Sequence, residues 1–225
     1  GESGTTLTLK ILRNGLENDF ELVRENYITS DVAVKSIASN VALIRIEAFS
    51  ERVVADTLTG LSQVKYGKGL VIDLRDNPGG VLTSATDFVQ LFLRSGLIVS
   101  YDRGSGKRIA LEADNKNPIS VPITIIVNEN TASSAEVVAG ALQDRNRGVV
   151  IGTKTFGKGS VQESITLSNG ASLETTVGKF RTPSGRFIDK KGITPDVIAS
   201  DRESLKRSLE ILQALNAIND PVKGS

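Results

Sequence analysis

One serine and one lysine have neighbours that suit nucleophilic catalysis. Ser133 lies in the stretch ENTASSAE, at the start of a helical pattern, and Lys158 lies between two glycines in GTKTFGKGS. The chain contains no His and no Cys, which excludes a Ser-His-Asp triad, a thiolate nucleophile and the usual zinc hydrolase. A serine nucleophile here needs another base, and a neutral lysine amine is the leading candidate.

The lysine segment is also one residue away from a phosphate-binding loop. Gly152, Gly157 and Lys158 fit that pattern, but Gly159 stands where a magnesium-binding hydroxyl is required. The following SVQESITL alternates like a strand, so no helix N-terminus is available for phosphates. Two interpretations remain. One is a surface turn with a solvated lysine; in the other, glycines allow close backbone approach and direct the amine inward, among Phe156 and Val161.

The serine segment allows two roles that are compatible with each other. Ser133 and Glu136 have the spacing of a capping box, so the simplest role of Ser133 is helix N-cap. A serine at a helix start after a buried strand also lies at the carboxyl edge of a sheet, where open α/β folds build sites. The Ser134 N–H and the helix dipole favour an oxyanion there. The NPGG segment at 77–80 either only forms a turn or also supplies a second backbone N–H donor for the oxyanion.

Apolar periodicity predicts the elements that position these residues. Residues 6–13 and about 16–24 read as a hairpin around Asn14-Gly15, which we expect to belong to a larger sheet. Two strand–helix–strand units imply crossover connections and a partly parallel sheet. The other predicted elements are strands at 41–46, 70–74, 97–101, 123–128 and 149–152, helices after Ser50, over 81–96 and over 133–146, a loop over 102–120, a strand–turn–strand over 160–180, and a last helix capped by Ser200 and Glu203.

Composition excludes several classes of protein. The 225 residues with 39% apolar content suffice for one core. A net charge of +1 provides no basic electrostatic field that would attract nucleic acid. No apolar run reaches the roughly 18 residues of a membrane span, and no signal peptide is recognised. Because the chain contains no Met, we expect a processed product or an excised fragment.

Four motifs resemble, in order and spacing, those of the C-terminal processing peptidases, also called tail-specific proteases. They are LVIDLRDNPGG, VNENTASSAEVVAGALQD, GTKTFGKGSVQ and GITPD, and the similarity covers roughly residues 28–200. It implies an α/β fold with a ClpP/crotonase-like serine protease core of layered ββα units, preceded by a remnant hairpin of a PDZ domain. The implied parts are the hairpin at 1–26, the protease core at 27–200 and a C-terminal helix at 201–225.

The resemblance also implies catalytic roles for three residues. Ser133 is the nucleophile, Lys158 is the general base, and Gln162 orients the lysine amine. Lys154 falls outside the FGKG match and is not expected to act. Ser134 stays open as a rival nucleophile, because the family usually alternates Ser and Ala at this point of the motif.

Supporting roles follow from the same resemblance. The backbone N–H groups of Gly79 or Gly80, together with that of Ser134, are expected to hold the oxyanion. Glu136 and Thr155 fall on motif positions and are expected to support the site. Asp144 falls on a motif position too, and we interpret it as structural.

The function implied is that of a serine endopeptidase cleaving protein substrates near apolar C-terminal tails through an acyl-enzyme. No metal, organic cofactor, nucleotide or nucleic acid is implied, and the expected location is periplasmic or otherwise extracytoplasmic. A homo-oligomer and an adaptor protein stay open. The alternatives are a catalytically inactive binding module, a crotonase-like acyl-CoA enzyme, or an inactive arrangement caused by the truncated PDZ domain. Its carboxylate-binding loop is expected upstream, which leaves substrate selection by this chain in question.

Overall fold

The computed structural model describes residues 1–25, 30–104 and 106–219, which form two compact units divided after Ser30. The described residues contain helices and strands throughout. In chain order, the elements are β1 (Thr6–Arg13), β2 (Leu16–Val23), β3 (Val32–Ala38), β4 (Val41–Ile46), α1 (Val53–Ser62), β5 (Gly69–Asp73), α2 (Leu82–Gln90), β6 (Ser95–Asp102), β7 (Arg108–Asp114), β8 (Ile123–Val127), α3 (Ser134–Asp144), β9 (Val149–Gly152), β10 (Ser160–Thr166), β11 (Ser172–Arg181), β12 (Val197–Ile198) and α4 (Asp201–Asn219).

The first unit is the predicted hairpin. β1 and β2 pair antiparallel from Thr6 opposite Val23 to Arg13 opposite Leu16. Asn14 and Gly15 both have positive φ, of 53° and 78°, as a two-residue hairpin turn with right-handed strand twist requires. The expectation of a larger sheet is wrong for the described residues, because β1 and β2 form a two-stranded sheet of their own.

The second unit is built on a six-stranded sheet with the order β12-β9-β8-β5-β4-β3. All neighbours from β12 to β4 are parallel, and only β3 pairs antiparallel, at the edge. The central strands are apolar and fully buried, as expected for strands covered on both faces. The prediction of crossover connections and a partly parallel sheet is confirmed.

A second sheet has the order β10-β11-β6-β7 and is antiparallel. It includes β7, so the predicted loop over 102–120 is wrong in its middle. The sequence RIALEAD alternates in exposure along β7, a pattern that its polar and Gly-rich flanks obscured. β3 was also not predicted, although VAVKSIA has a similar alternation.

Helices cover the parallel sheet and close the core. The ring of Phe88, in α2, packs edge to face against the rings of Phe49 and Phe92, with centroids 5.9 and 5.2 Å away respectively. α1 begins at Val53 instead of directly after Ser50, since Phe49 pairs with Gly80 and Ser50 to Arg52 form a turn before the helix.

α4 begins where the sequence predicted. The Ser200 hydroxyl donates to the Glu203 carboxylate at 2.8 Å, and Leu212 of α4 is buried against Val41, Leu43, Val71 and Ile126 of the sheet. No described helix has the length and apolar character needed to cross a membrane.

The topology brings three loops to one edge of the parallel sheet. The loops after β5, β8 and β9 all leave the carboxyl ends of adjacent parallel strands, where α/β folds place their sites. They carry the NPGG turn, the ENTASS segment and the FGKG segment respectively. The fold therefore places the three chemistry-bearing motifs at the same edge.

Candidate active site

The loops enclose a cleft of about 400 Å³. Five of the predicted site residues line it, together with an apolar wall. The lining consists of Pro78, Gly80, Val81, Leu82, Ser133, Ser134, Lys158, Ser160, Val161, Gln162 and Phe180. The structure thus gathers the predicted nucleophile, base and orienting amide, with part of the predicted oxyanion hole, around a single space.

Ser133 is the N-cap residue of α3 and has a strained backbone. Its φ of 58° and ψ of −123° lie where non-glycine residues are seldom found. Such strain costs on the order of 1–3 kcal/mol and persists only where neighbouring contacts enforce it. A sharp strand-to-helix turn presents the nucleophilic serine hydroxyl at the top of the sheet in α/β-hydrolases.

Glu136 connects the serine segment to the lysine loop. Its side chain is fully buried, and its two oxygens accept four hydrogen bonds. Oε2 accepts from the backbone N–H of Ser133 and of Lys158, both at 2.9 Å. Oε1 accepts from the Thr155 hydroxyl at 2.5 Å and from the Gly157 N–H at 2.7 Å. The carboxylate therefore fixes both chain segments relative to each other.

The buried position of Glu136 has an electrostatic consequence. Burial raises the pKa of the Glu136 carboxyl above its ordinary value, although the four hydrogen bonds act in the opposite direction. Thr155 holds this carboxylate in turn to a neighbouring loop, since its hydroxyl also accepts from the Ile193 N–H at 2.7 Å. Glu136 and Thr155 both lie behind the residues that line the cleft.

The glycines beside Lys158 allow close backbone approach. A Cβ atom on Gly159 would lie 2.1 Å from the Asp189 nitrogen, which leaves no room for any other residue. Gly157 has φ of 91°, and its carbonyl accepts from the Lys190 N–H at 2.8 Å. The segment is therefore a packed loop, and β10 follows it directly, so the helix that a phosphate-binding loop requires does not form.

The surroundings of Lys158 differ from the expected ones. Phe156 is 68% exposed and does not line the cleft, so its predicted role as an apolar neighbour of the amine is wrong; its N–H is bonded to the Thr131 carbonyl. Val161, the other expected apolar neighbour, is buried and lines the cleft, and it forms an apolar wall together with Phe180. Lys158 itself is exposed, and among the hydrogen bonds of the described residues none joins its amine to the Ser133 hydroxyl.

Gln162 follows an irregularity in β10. The register of β10 against β11 shifts between Val161 and Gln162, and such bulges redirect side chains beside active sites. Both residues line the cleft, with Val161 buried and Gln162 exposed. Lys154 is exposed as well, but it does not line the cleft.

The NPGG turn and α3 provide two unengaged backbone donors. In the described part of the chain, no hydrogen bond involves the N–H of Gly80 or of Ser134. The Gly79 N–H is already donated to the Asn77 side chain at 2.8 Å, so it is not available to a ligand. Of the two glycines considered, Gly80 is the one whose N–H is unengaged in the described residues.

Ser134 is poorly placed as a nucleophile. Its side chain is 1% exposed, and its hydroxyl donates to the Gly80 carbonyl at 3.3 Å. Asp144 lies at the opposite end of α3 from Ser133 and pairs with Arg186. Burial acts to raise the pKa of Asp144, but hydrogen bonds from Thr182 and Ser184 and the Arg186 charge bring it below its ordinary value. These contacts agree with the interpretation of Asp144 as structural.

Sequence reasoning missed a buried polar residue behind the site. Asn128, directly after β8, donates to the Asp76 carboxylate at 2.9 Å and accepts from the Asp76 N–H at 3.0 Å. The amides of Asn130 and Asn128 lower the pKa of Asp76 from its ordinary value. Thr131 adds a bond from its hydroxyl to the Leu74 carbonyl at 2.8 Å. An Asn directly after a buried strand was the available signal.

Among the described residues, no three acidic side chains cluster as a metal site would require.

Comparisons with known proteins agree with the motifs. A model of peptidase family S41 matches residues 40–199. A carboxyl-terminal-processing protease of Synechocystis sp. is 36% identical over 206 residues, covering 88% of this chain and 48% of that protein. The carboxy-terminal processing protease CtpA of Bacillus subtilis is 34% identical over 204 residues, covering 88% and 44%. The chain thus spans about half the length of the curated relatives it matches.

The fold has solved counterparts. The photosystem II D1 C-terminal processing protease superposes with a TM-score of 0.68 at 28% identity, covering 92% of this chain and 60% of that one. A lipoprotein from Streptococcus agalactiae, at 23% identity, shares the fold with a TM-score of 0.72 and covers 83% of this chain and 71% of that one.

Proposed function

Because the chain belongs to peptidase family S41, we propose that it is the catalytic part of a serine endopeptidase that cleaves proteins near their C-termini through an acyl-enzyme. The observation that carries this proposal is the cleft in which Ser133 and Lys158 face the same space as two unengaged backbone N–H groups. A nucleophile, a base and oxyanion donors are the three parts that acyl transfer needs.

In the proposed reaction, Lys158 and Ser133 act as a dyad. The neutral Lys158 amine accepts the Ser133 hydroxyl proton as the oxygen attacks the scissile carbonyl carbon. The carbonyl oxygen becomes an oxyanion, which accepts hydrogen bonds from the Gly80 and Ser134 N–H groups. The Lys158 ammonium then protonates the leaving amine as the carbon–nitrogen bond breaks, giving an ester on Ser133. Water then attacks the ester carbonyl as Lys158 accepts its proton, and Lys158 returns that proton to the Ser133 oxygen as the acyl–oxygen bond breaks, which releases the carboxylic acid and restores both groups.

Glu136 and Thr155 support the dyad without touching the substrate. The Glu136 carboxylate holds the backbone of both dyad residues, and Thr155 holds the carboxylate. Gln162 has an amide oxygen that can accept a hydrogen bond from the lysine amine and so set its direction. Gln162 and Lys158 both line the cleft, which supports this role.

Because Lys158 is exposed in the free chain, the proposed mechanism requires the bound substrate to shield it from water. Only a neutral amine accepts a proton, and removing water favours the neutral form of lysine. Since Lys158 is an exposed residue in the free chain, we expect a peptide that fills the cleft to exclude water from around it. Binding energy remote from the scissile bond would then raise kcat as well as lower KM.

The wider assignments extend from the same family. We propose that residues 1–26 belong to the last hairpin of a PDZ domain, 27–200 to the protease core and 201–225 to a C-terminal helical part; positions 26–29, 105 and 220–225 of these ranges lie outside the described residues. Protein substrates with apolar C-terminal tails suit the apolar wall of Val161 and Phe180. We also propose an extracytoplasmic location, with the periplasm as one example, and a homo-oligomer or an adaptor is compatible with this proposal.

A serine-directed fluorophosphonate tests the proposal without any need for a known substrate. The wild-type chain should be labelled on Ser133, which peptide mass spectrometry locates. Labelling should be lost in Ser133→Ala and kept in Ser134→Ala, whose hydroxyl is buried. Labelling on Ser134, or equal labelling of wild type and Ser133→Ala, would refute the assignment. An inactive binding module would not be labelled, and an acyl-CoA enzyme would instead bind CoA.

A further inference from the structure

The Gly79-Gly80 turn is held by one buried side chain, that of Asn77. This side chain is 0% exposed. Its Oδ1 accepts from the Gly79 N–H at 2.8 Å, and its Nδ2 donates to the carbonyl of Ile46, the last residue of β4, at 2.9 Å. The carboxamide therefore uses a donor and an acceptor at once, between the end of a strand and the turn.

The main chain of Asn77 is fixed as well. Its N–H donates to the Leu74 carbonyl at 3.2 Å, and its carbonyl accepts from the N–H of Ala132, directly before Ser133, at 2.9 Å. Asn77 thus bonds to the end of β4, to the segment after β5 and to the segment that carries the proposed nucleophile.

Phe49 fixes the turn from its other side. The Phe49 N–H donates to the Gly79 carbonyl at 2.8 Å, and the Phe49 carbonyl accepts from the Val81 N–H at 2.7 Å. In a trans peptide the N–H points opposite to the preceding carbonyl. Because the Gly79 carbonyl is directed at Phe49, the Gly80 N–H points away from Phe49. Gly80 lines the cleft.

The turn needs such restraints because it consists of two glycines in unusual conformations. Gly79 and Gly80 have φ of 104° and 138°, and glycine has many alternative conformations of similar energy. A Cβ on Gly79 would lie 2.8 Å from the Ser133 Cβ, so the turn passes close to the serine. A hydrogen bond to the Gly79 N–H restricts the rotation that would turn the next N–H away.

We propose that Asn77 is a positioning residue for the oxyanion hole. Its carboxamide engages the Gly79 N–H and so keeps the Gly80 N–H directed at the oxyanion. This inference rests on the proposed function, in which that N–H binds the oxyanion. Oxyanion donors act by being in place before the charge develops, so their orientation affects the transition state more than the bound substrate.

The test compares Asn77→Ala and Asn77→Asp with wild type. Asn77→Asp keeps the shape and the acceptor but removes the donor to Ile46, so the side chain is no longer anchored in the position from which it holds the Gly79 N–H. It is the second variant should Asn77→Ala not fold. Asn130→Ala is the matched control, since this exposed amide bonds to Asp76 in the same turn region but not to Gly79. The probe is a peptidyl boronate. The Ser133 oxygen adds to its boron, the hydroxyl proton passes to Lys158, and a boron oxygen occupies the oxyanion position.

Two readouts are measured per folded molecule: boronate affinity by calorimetry and peptide turnover. The Asn77 variants should lose at least about tenfold in boronate affinity and in kcat, with KM within about threefold of wild type. Asn130→Ala should stay within about twofold in both. A purely structural role would lower the melting temperature and leave both values unchanged.

The outcomes separate this inference from the proposed function. Boronate binding by wild type with unchanged affinity in a folded Asn77 variant overturns the role of Asn77 alone. A wild-type chain that binds no boronate overturns both. An equal loss in Asn130→Ala would assign the effect to the turn region in general and would overturn the specific role of Asn77.

Discussion

The backbone N–H groups of Ser133 and Lys158 donate to the same atom, the Oε2 oxygen of Glu136, each at 2.9 Å. Ser133 lies after β8 and Lys158 after β9, so the shared oxygen spans two loops. In the proposed mechanism, one buried carboxylate therefore sets the separation of nucleophile and base.

Glu136→Gln should lower kcat/KM by at least about tenfold, because small displacements of reacting groups cost large factors in rate. Each carboxylate oxygen accepts two hydrogen bonds, whereas an amide would direct its NH₂ at two of the same donors. Peptide turnover per folded molecule measures this. Glu129→Gln is the control, since Glu129 is exposed and bonds only to Thr153 among the side chains described. Equal losses in the two variants would contradict the role of Glu136.

The pH dependence of stability should identify Glu136 separately. Burial raises its folded pKa above the ordinary value of about 4.3. Its contribution to stability is then fully present below the ordinary pKa and is lost as the pH rises through the folded pKa. The free energy of unfolding of wild type minus that of Glu136→Gln should decrease as the pH rises from about 4 towards neutrality, as urea unfolding at several pH values would measure.

Glu129 supplies the opposite trend as a control. A hydrogen bond with its own backbone and one with Thr153 lower the pKa of Glu129, so its contribution is present above the ordinary pKa and is lost as the pH falls. If the difference for Glu136→Gln instead increases with pH, the carboxyl does not have a raised pKa in the folded protein.

Thr155→Val should destabilise the fold by about 1–3 kcal/mol, because it removes one donor to Glu136 and leaves the buried Ile193 N–H without its acceptor. Thr153→Val, at a more exposed hydroxyl bonded to Glu129, should change stability far less. Chemical denaturation gives both values. Similar values for the two variants would show that the Thr155 hydroxyl does not hold the loops together.

Lys158→Ala should lower kcat by about 10²- to 10⁴-fold, the usual contribution of a positioned base. Both Lys158 and Lys154 are exposed, so neither alanine variant should lose much stability. Lys154→Ala should keep its activity, because Lys154 does not line the cleft. Equal loss in steady-state assays of the two variants would show that the loop register is wrong.

Gln162→Ala should reduce kcat at least about tenfold, since it removes the amide that directs the lysine amine. The melting temperature should stay within a few degrees of wild type, because the Gln162 side chain is exposed. Gln213→Ala, at an exposed glutamine of α4, is the control for the substitution itself. A lower melting temperature with unchanged kcat per folded molecule would make Gln162 structural.

The sequence allowed the family, the class of fold and the parallel core strands to be predicted, and all three are confirmed. Turn dipeptides and buried apolar runs are local signals, and Asn14-Gly15 and Asn169-Gly170 both form hairpin turns between paired strands. β7 was missed because its alternation is short and lies between polar segments.

Contacts between distant segments could not be predicted. The exposure of Phe156, the use of the Gly79 N–H by Asn77 and the four donors to Glu136 all depend on how three loops meet. Chain spacing indicates which loops share an edge of the sheet, but it gives no information on which atoms are engaged. The catalytic roles themselves stay predictions.

The most direct measurement of the central claim is the cleavage of an unfolded protein such as casein by the wild-type chain and by Ser133→Ala. An unfolded substrate needs no prior capture to reach the cleft, so the comparison depends on the dyad alone. We expect the wild type to produce peptides over time and Ser133→Ala, folded to the same extent, to produce none. Equal cleavage by both proteins, or none by the wild type, would contradict the proposed function.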